Sequence, residues 1–161
     1  MEDRIIKTDR MRYTKNTASS RLALLAIVFD VLYFVSIYQS DVGSHYYTIL
    51  IGASVVYNLL FMLMAFLSSE GVKNYKTGYS WLLMVLGVIQ VGRIFILPLQ
   101  AFQATVKIKK EVLPVMGQAQ FTYVVICLVL SCVCCIASAV INLIKSRRLQ
   151  KHIASLDADA A

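Results

Sequence analysis

Apolar residues run almost unbroken through four stretches of this chain, at residues 22–38, 46–67, 81–99 and 121–144, and polar residues collect between them. Each stretch falls within the roughly 17–25 residues that carry a helix across a hydrocarbon core about 30 Å thick. The pattern predicts an all-α integral membrane protein, four transmembrane helices in an antiparallel bundle with both termini cytoplasmic. Residues 1–20 form a basic tail, residues 21–144 the transmembrane domain, and residues 145–161 a second basic tail. The connections are too short to hold a separate soluble domain.

The connections carry signals of their own. Residues 39–45, with Asp41 and Gly43, make a tight outer turn that keeps the first two spans adjacent. Residues 68–80 hold turn-forming glycines, and Tyr75, Tyr79 and Trp81 stand where an interfacial aromatic belt is expected, matched on the outer side by Tyr38, Tyr46, Tyr47 and Tyr123. The outer loop, residues 100–120, is the longest. Its alternation over residues 105–109 (TVKIK), followed by the breakers Pro114 and Gly117, suits a small hairpin, while a plain loop on the headgroups is the alternative. After the fourth span a basic helix with Leu149 and Ile153 on one side enters the inner interface.

Composition agrees with a membrane location. Of 161 residues, 58% are hydrophobic and 16% charged, against soluble averages of about 45–50% and about 25%. The net charge of +7 comes from cations beside the spans, without the aromatic and basic surface of a nucleic-acid binder. Arg4, Lys7, Arg10, Arg12, Lys15 and Arg21 precede the first span, Lys73 and Lys76 follow the second, and Lys145, Arg147, Arg148 and Lys151 follow the fourth. If the spans alternate, all of these share one side, and the positive-inside rule makes it the cytoplasm of a cell-membrane protein. Lys107, Lys109 and Lys110 oppose this and are outnumbered. A cleavable signal peptide ending near residues 42–44 is disfavoured by the long lead and the long apolar run.

Charge inside the apolar stretches is rare enough to be informative. Arg93 sits within residues 81–98 (WLLMVLGVIQVGRIFILP), and Asp30 is the one acid inside any of the four spans. At 1.5 Å per residue Asp30 lies about 13 Å above the inner boundary, Arg93 about 18 Å, and Gln90 and Asn58 near the same depth. A charge there costs at least about 2.5–3.5 kcal/mol on insertion scales, so these four residues are expected to be partners. One reading is a clasp that fixes helix register; the other is a gate that opens during transport. The clasp is favoured because no second acid continues a proton path. Tyr33 and Tyr57 extend the layer.

In the fourth span Cys127, Ser131, Cys134, Cys135, Ser138 and Asn142 recur at spacings of three or four, a stripe of small residues suited to close helix packing against this chain or a partner. Gly52, Ser54, Gly87 and Gly92 offer the same approach. Cys132 and Cys135 satisfy C-x-x-C, a spacing similar to that of four-span thiol oxidoreductases of the vitamin K epoxide reductase type. That chemistry needs a thiolate near water and a shuttle pair in an outer loop, where this chain has no cysteine. Four spans with an acid in the first resemble the small multidrug transporters in span count and Asp30 alone. No cofactor or metal is implied: His45 and His152 are far apart, and no phosphate-binding, dinucleotide or nucleophile motif occurs.

The expected role is therefore non-enzymatic, an accessory or stabilising subunit of a larger membrane complex, including a transporter. The alternative is a small oligomeric transporter or channel with Asp30 and Arg93 as an intramembrane gate. Expected partners are membrane lipids and another membrane protein or further copies of the chain, not nucleic acid.

Overall fold

A computed structural model describes residues 6, 8–38, 45–103, 105–108 and 111–159. The outer turn at residues 39–44, Arg4, Lys7, Lys109 and Lys110 lie outside the described residues, as do the side chains of Tyr46, Tyr47 and Lys107. The elements in order are α1 (Thr17–Ile37), α2 (His45–Lys73), α3 (Thr77–Ile96), a short α4 (Pro98–Gln103), β1 (Thr105–Ile108), β2 (Glu111–Pro114) and α5 (Gln118–Asp159). Four helices are long and apolar enough to cross a membrane, the candidate spans being Thr17–Ile37, Gly52–Lys73, Thr77–Gln103 and Gln118–Leu156. These are the marks of a multi-pass membrane protein.

The helices are inside out relative to a soluble bundle. Val28, Val35, Leu59, Leu63, Val85, Val88, Phe95, Ile126 and Val133 are exposed, while Asp30, Asn58, Gln90, Arg93, Ser131, Ser138 and Asn142 are buried. Hydrocarbon offers no penalty for exposed apolar groups and no partner for polar ones, so polar side chains turn inward and bind one another. Helix α5 is the central element, packed extensively on α1 and on α3, and α2 rests chiefly on α1.

Two apolar clusters fill the interior. Toward the chain termini Ala23, Ala26, Phe61, Ala65, Val72, Leu83, Leu86, Cys134, Cys135 and Ala139 pack together. Toward the hairpin Tyr33, Ile37, Leu97, Ala101, Met116, Val124, Cys127 and Leu128 do the same. Met116 belongs to the outer loop, so that loop folds back as a cap, and the Phe102 ring stacks on Phe121 at 4.5 Å. Within the loop β1 pairs with β2 in antiparallel register, Thr105 opposite Pro114 and Ile108 opposite Glu111. Over residues 105–108 the alternation thus corresponds to a strand.

Helix ends differ from the apolar boundaries in the sequence. Thr17 opens α1 ahead of Leu22, because Asn16, Ser19 and Ser20 are buried and bonded rather than part of a loose tail. Helix α2 closes with Lys76 N–H donating to Gly71 O at 3.2 Å and Tyr75 N–H to Val72 O at 3.1 Å, a Schellman pattern. Tyr75 takes the left-handed position, φ 58°, usually held by glycine. Helix α5 runs unbroken to Asp159, since no proline or glycine follows Gly117.

Close packing between α3 and α5 depends on Gly87. A Cβ there would meet Ile136 Cγ1 at 3.1 Å, Cys135 Cβ at 3.2 Å and Cys132 O at 3.3 Å. We expect Gly87→Leu to destabilise the bundle by about 1–3 kcal/mol through overpacking, and Gly92→Leu, at a position facing open space, to be tolerated. Reversible unfolding in bicelles titrated with dodecyl sulfate compares the two. Equal tolerance of both would show that α3 and α5 do not need this contact.

Candidate functional site

Between the two apolar clusters lies one polar layer, and it contains all four residues singled out by depth in the sequence. Arg93 of α3 is 6% exposed and Asp30 of α1 is fully buried, with Arg93 Nη1 2.9 Å from Asp30 Oδ1. Gln90, one turn away on α3, donates from Nε2 to the same Asp30 oxygen at 3.0 Å, and its amide nitrogen is 3.4 Å from Ser131 Oγ of α5. The other arm of the guanidinium belongs to α2: Nη2 donates to Ser54 Oγ at 3.1 Å and to Asn58 Oδ1. One arginine thereby joins three helices, and Gln90 and Ser131 bring in the fourth.

Aromatic rings complete the enclosure. The guanidinium carbon lies 4.3 Å from the Tyr33 ring centroid and 4.5 Å from that of Tyr57. A planar, weakly hydrated guanidinium suits both its in-plane hydrogen bonds and its stacked rings; a lysine ammonium would match neither. Sequence depth located the four polar residues, whereas Ser54 and Ser131 entered only as small packing residues. Their hydroxyls instead serve the layer, Ser131 Oγ also donating to Ala26 O at 3.0 Å.

Not every polar atom in the layer is paired. Asp30 Oδ2, Tyr57 Oη and Asn58 Nδ2 have no hydrogen-bond partner among the described residues. Beside them a cavity of about 510 Å³ lies between α2 and α3, bounded by Ser54, Tyr57, Val88, Gly92, Arg93 and Ile96. Gly92 therefore faces open space rather than a neighbouring helix, as does Gly52. Neither makes the close contact expected from the sequence.

The α5 stripe turns toward this chain. Cys127 joins the cluster near the hairpin, Cys134 and Cys135 join the other, and Ser138 Oγ donates to Ser19 O at 2.7 Å. The four thiols are unpaired, and among the described residues no three His, Cys, Asp or Glu side chains gather as metal ligands.

A second polar layer, nearer the termini, is centred on Asn142 and Asn16. Asn142 Oδ1 accepts from Asn16 Nδ2 at 3.0 Å, while Asn142 Nδ2 donates to Ser80 Oγ at 2.7 Å and to Lys76 O at 3.2 Å. Asn16 N–H donates to Lys73 O at 2.9 Å, and Lys145 Nζ to Asn16 Oδ1 at 2.9 Å. Asn16 was concealed in the sequence by its polar surroundings. Comparison with models of protein families, with curated proteins and with solved structures finds no match.

Proposed function

We propose that this chain is a non-enzymatic, four-span protein of the cell membrane, its neighbouring spans antiparallel and both termini in the cytoplasm, acting as an accessory or stabilising subunit of a larger membrane assembly. The observation that carries this reading is the length of α5. Its 42 residues extend about 63 Å, roughly twice the hydrocarbon thickness, so its last part stands clear of the bilayer. That arm bears Lys145, Arg147, Arg148 and Lys151, with Ile153 and Leu156 exposed near its tip. Within the chain it meets the N-terminal segment, His152 Nε2 lying 3.5 Å from Asp9 Oδ1. A rigid basic helix with apolar residues at its end suits contact with a partner outside the membrane. The convergence of Asn16, Lys73 and Lys145 at that end supports a cytoplasmic orientation, because the cations then gather on the inner side.

Affinity purification of the tagged protein from its own host, expressed at native level and solubilised mildly, tests this reading by mass spectrometry and sizing. A stoichiometric larger membrane partner is expected, lost from Ile153→Asp/Leu156→Asp while the bundle stays folded. A lone monomer with nothing co-purifying removes the reading.

The cavity beside Arg93 favours a second reading, a small oligomeric transporter or channel gated by Asp30 and Arg93. In that case Asp30→Asn and Arg93→Gln abolish flux in proteoliposomes and leave the amount of folded protein unchanged.

A further inference from the structure

Helix α5 carries its cations past the point where the other spans end. Ser146 Oγ donates to Tyr75 O at 2.8 Å, and Asn142 Nδ2 to Lys76 O at 3.2 Å. Both acceptors lie in the turn between α2 and α3, so residues 142–146 of α5 stand level with the ends of those helices. Arg147, Arg148 and Lys151, all exposed, come next. Lys151 is about 7.5 Å beyond Ser146 along the axis, which keeps all three cations near a head-group layer about 5–7 Å thick.

The face that bears them is the one turned to lipid. Val133, Val140 and Ile144 are exposed on it, and Arg147 stands two turns after Val140 as Lys151 stands two turns after Ile144. A single row therefore passes from apolar to basic. Long side chains on a helix lean toward its N-terminus, which for α5 is the hairpin end, so Arg147 and Lys151 lean back toward the hydrocarbon. The acids described at this end have other partners. Asp9 Oδ1 is 3.5 Å from both Arg12 Nη1 and His152 Nε2, and Glu70 Oε1 is 3.0 Å from Lys73 Nζ. Among the described residues the three cations have no ion-pair partner, and Arg147 and Lys151, four positions apart, repel each other.

We infer that this row is a binding site for a phospholipid of net negative charge. Its acyl chains follow Val133, Val140 and Ile144, and its phosphate sits between Arg147 and Lys151 with Arg148 at the edge. A guanidinium meets two phosphate oxygens at once, and the lysine adds a point charge. The anion also offsets the repulsion between the cations, which a zwitterionic lipid does less well because its head group brings a cation of its own. A free phosphate would leave the apolar part of the row unused. The site requires only that α5 crosses the membrane, so it is independent of the accessory role and of any protein partner.

Native mass spectrometry of the purified full-length chain, delipidated in detergent and titrated with phosphatidylglycerol or with phosphatidylcholine of the same chains, provides the test. Selective retention of phosphatidylglycerol is expected. Arg147→Gln/Lys151→Gln weakens it about thirtyfold, whereas Arg10→Gln/Lys76→Gln removes the same charge from other elements and leaves it near wild type. A diazirine in the acyl chain labels the wild-type peptide carrying residues 133–144. Equal retention of the two lipids, or equal loss in both double variants, overturns the site in favour of unspecific attraction. Labelling spread evenly over the exposed faces of all four spans overturns it as well. Displacement by inorganic phosphate would mean an anion site that needs no lipid, and displacement by an oligoglutamate peptide would assign the cations to an acidic protein segment; either result also overturns the inference.

Discussion

Replacing Asp30 with asparagine is expected to destabilise the folded bundle by about 3 kcal/mol, with a matching fall in the fraction that runs as a single species on sizing. The substitution preserves shape and leaves an acceptor for Gln90 and Arg93, so what it removes is the charge that balances the guanidinium. Arg93→Gln is expected to cost less. The carboxylate left behind can be neutralised by a proton, whereas a guanidinium retains its charge under all ordinary conditions. The exchange Asp30→Arg with Arg93→Asp should recover part of the loss, because the pair is re-formed across the same two helices. Full recovery is not expected, since an arginine on α1 forgoes the bonds to Ser54 and Asn58 and the stack between Tyr33 and Tyr57. Titration with dodecyl sulfate in bicelles measures all three variants. Wild-type stability in both single variants would remove the clasp and leave the gate as the reason for the layer.

That layer was visible in the sequence because charge stands out in an apolar run and helical rise converts position into depth. The rest of its membership depends on how each helix is rotated about its own axis, which depth does not give. A serine in a span can bond its own helix, as Ser68 does to Met64 O at 2.7 Å, or a neighbour, as Ser131 does to Ala26 O. Linear spacing is the same in either case. The α5 stripe shows the same ambiguity, since three-four spacing identified a packing face and only its contacts with α1 and α3 say against what.

The four spans were legible for a different reason. Length and apolarity are what the hydrocarbon core selects, so the middle of each helix declares itself. The ends do not, because past the hydrocarbon boundary hydropathy no longer tracks helicity. Thr17–Arg21 is helical despite its polar residues because Ser19 and Ser20 are buried, Ser20 Oγ lying 2.8 Å from Ser69 Oγ. Beyond residue 144 polar residues of high helix propensity, with no breaker among them, carry α5 onward to Asp159. In the outer loop the alternation of β1 was readable, while its partner strand ends in Pro114, a residue that in the sequence signals interruption.

Asn142→Leu should have the second largest effect, and it separates the two polar layers. Asn142 binds Asn16 next to α1, Ser80 in α3 and the Lys76 carbonyl in the turn after α2, so a single side chain ties the terminal end of the bundle together. Interhelical hydrogen bonds in membrane proteins average about 0.6 kcal/mol, which for three such bonds gives a loss of about 2 kcal/mol. Leucine is close in volume, so cavity formation adds little. Asn16→Ala should cost a similar amount, because the Asn16 side chain also makes three bonds, to Ser19, Asn142 and Lys145, and only its backbone bond to Lys73 O survives. The double variant should fall short of the sum of the two, since both remove the bond they share. The layers also predict different patterns of opening. Loss of Asn142 should speed hydrogen exchange in the turn at residues 74–76 and at the start of α1 while leaving amides around Arg93 protected, and loss of Asp30 should do the reverse. Acceleration at both levels in either variant would mean that the four helices open as one cooperative unit, with the two layers acting as a single clasp.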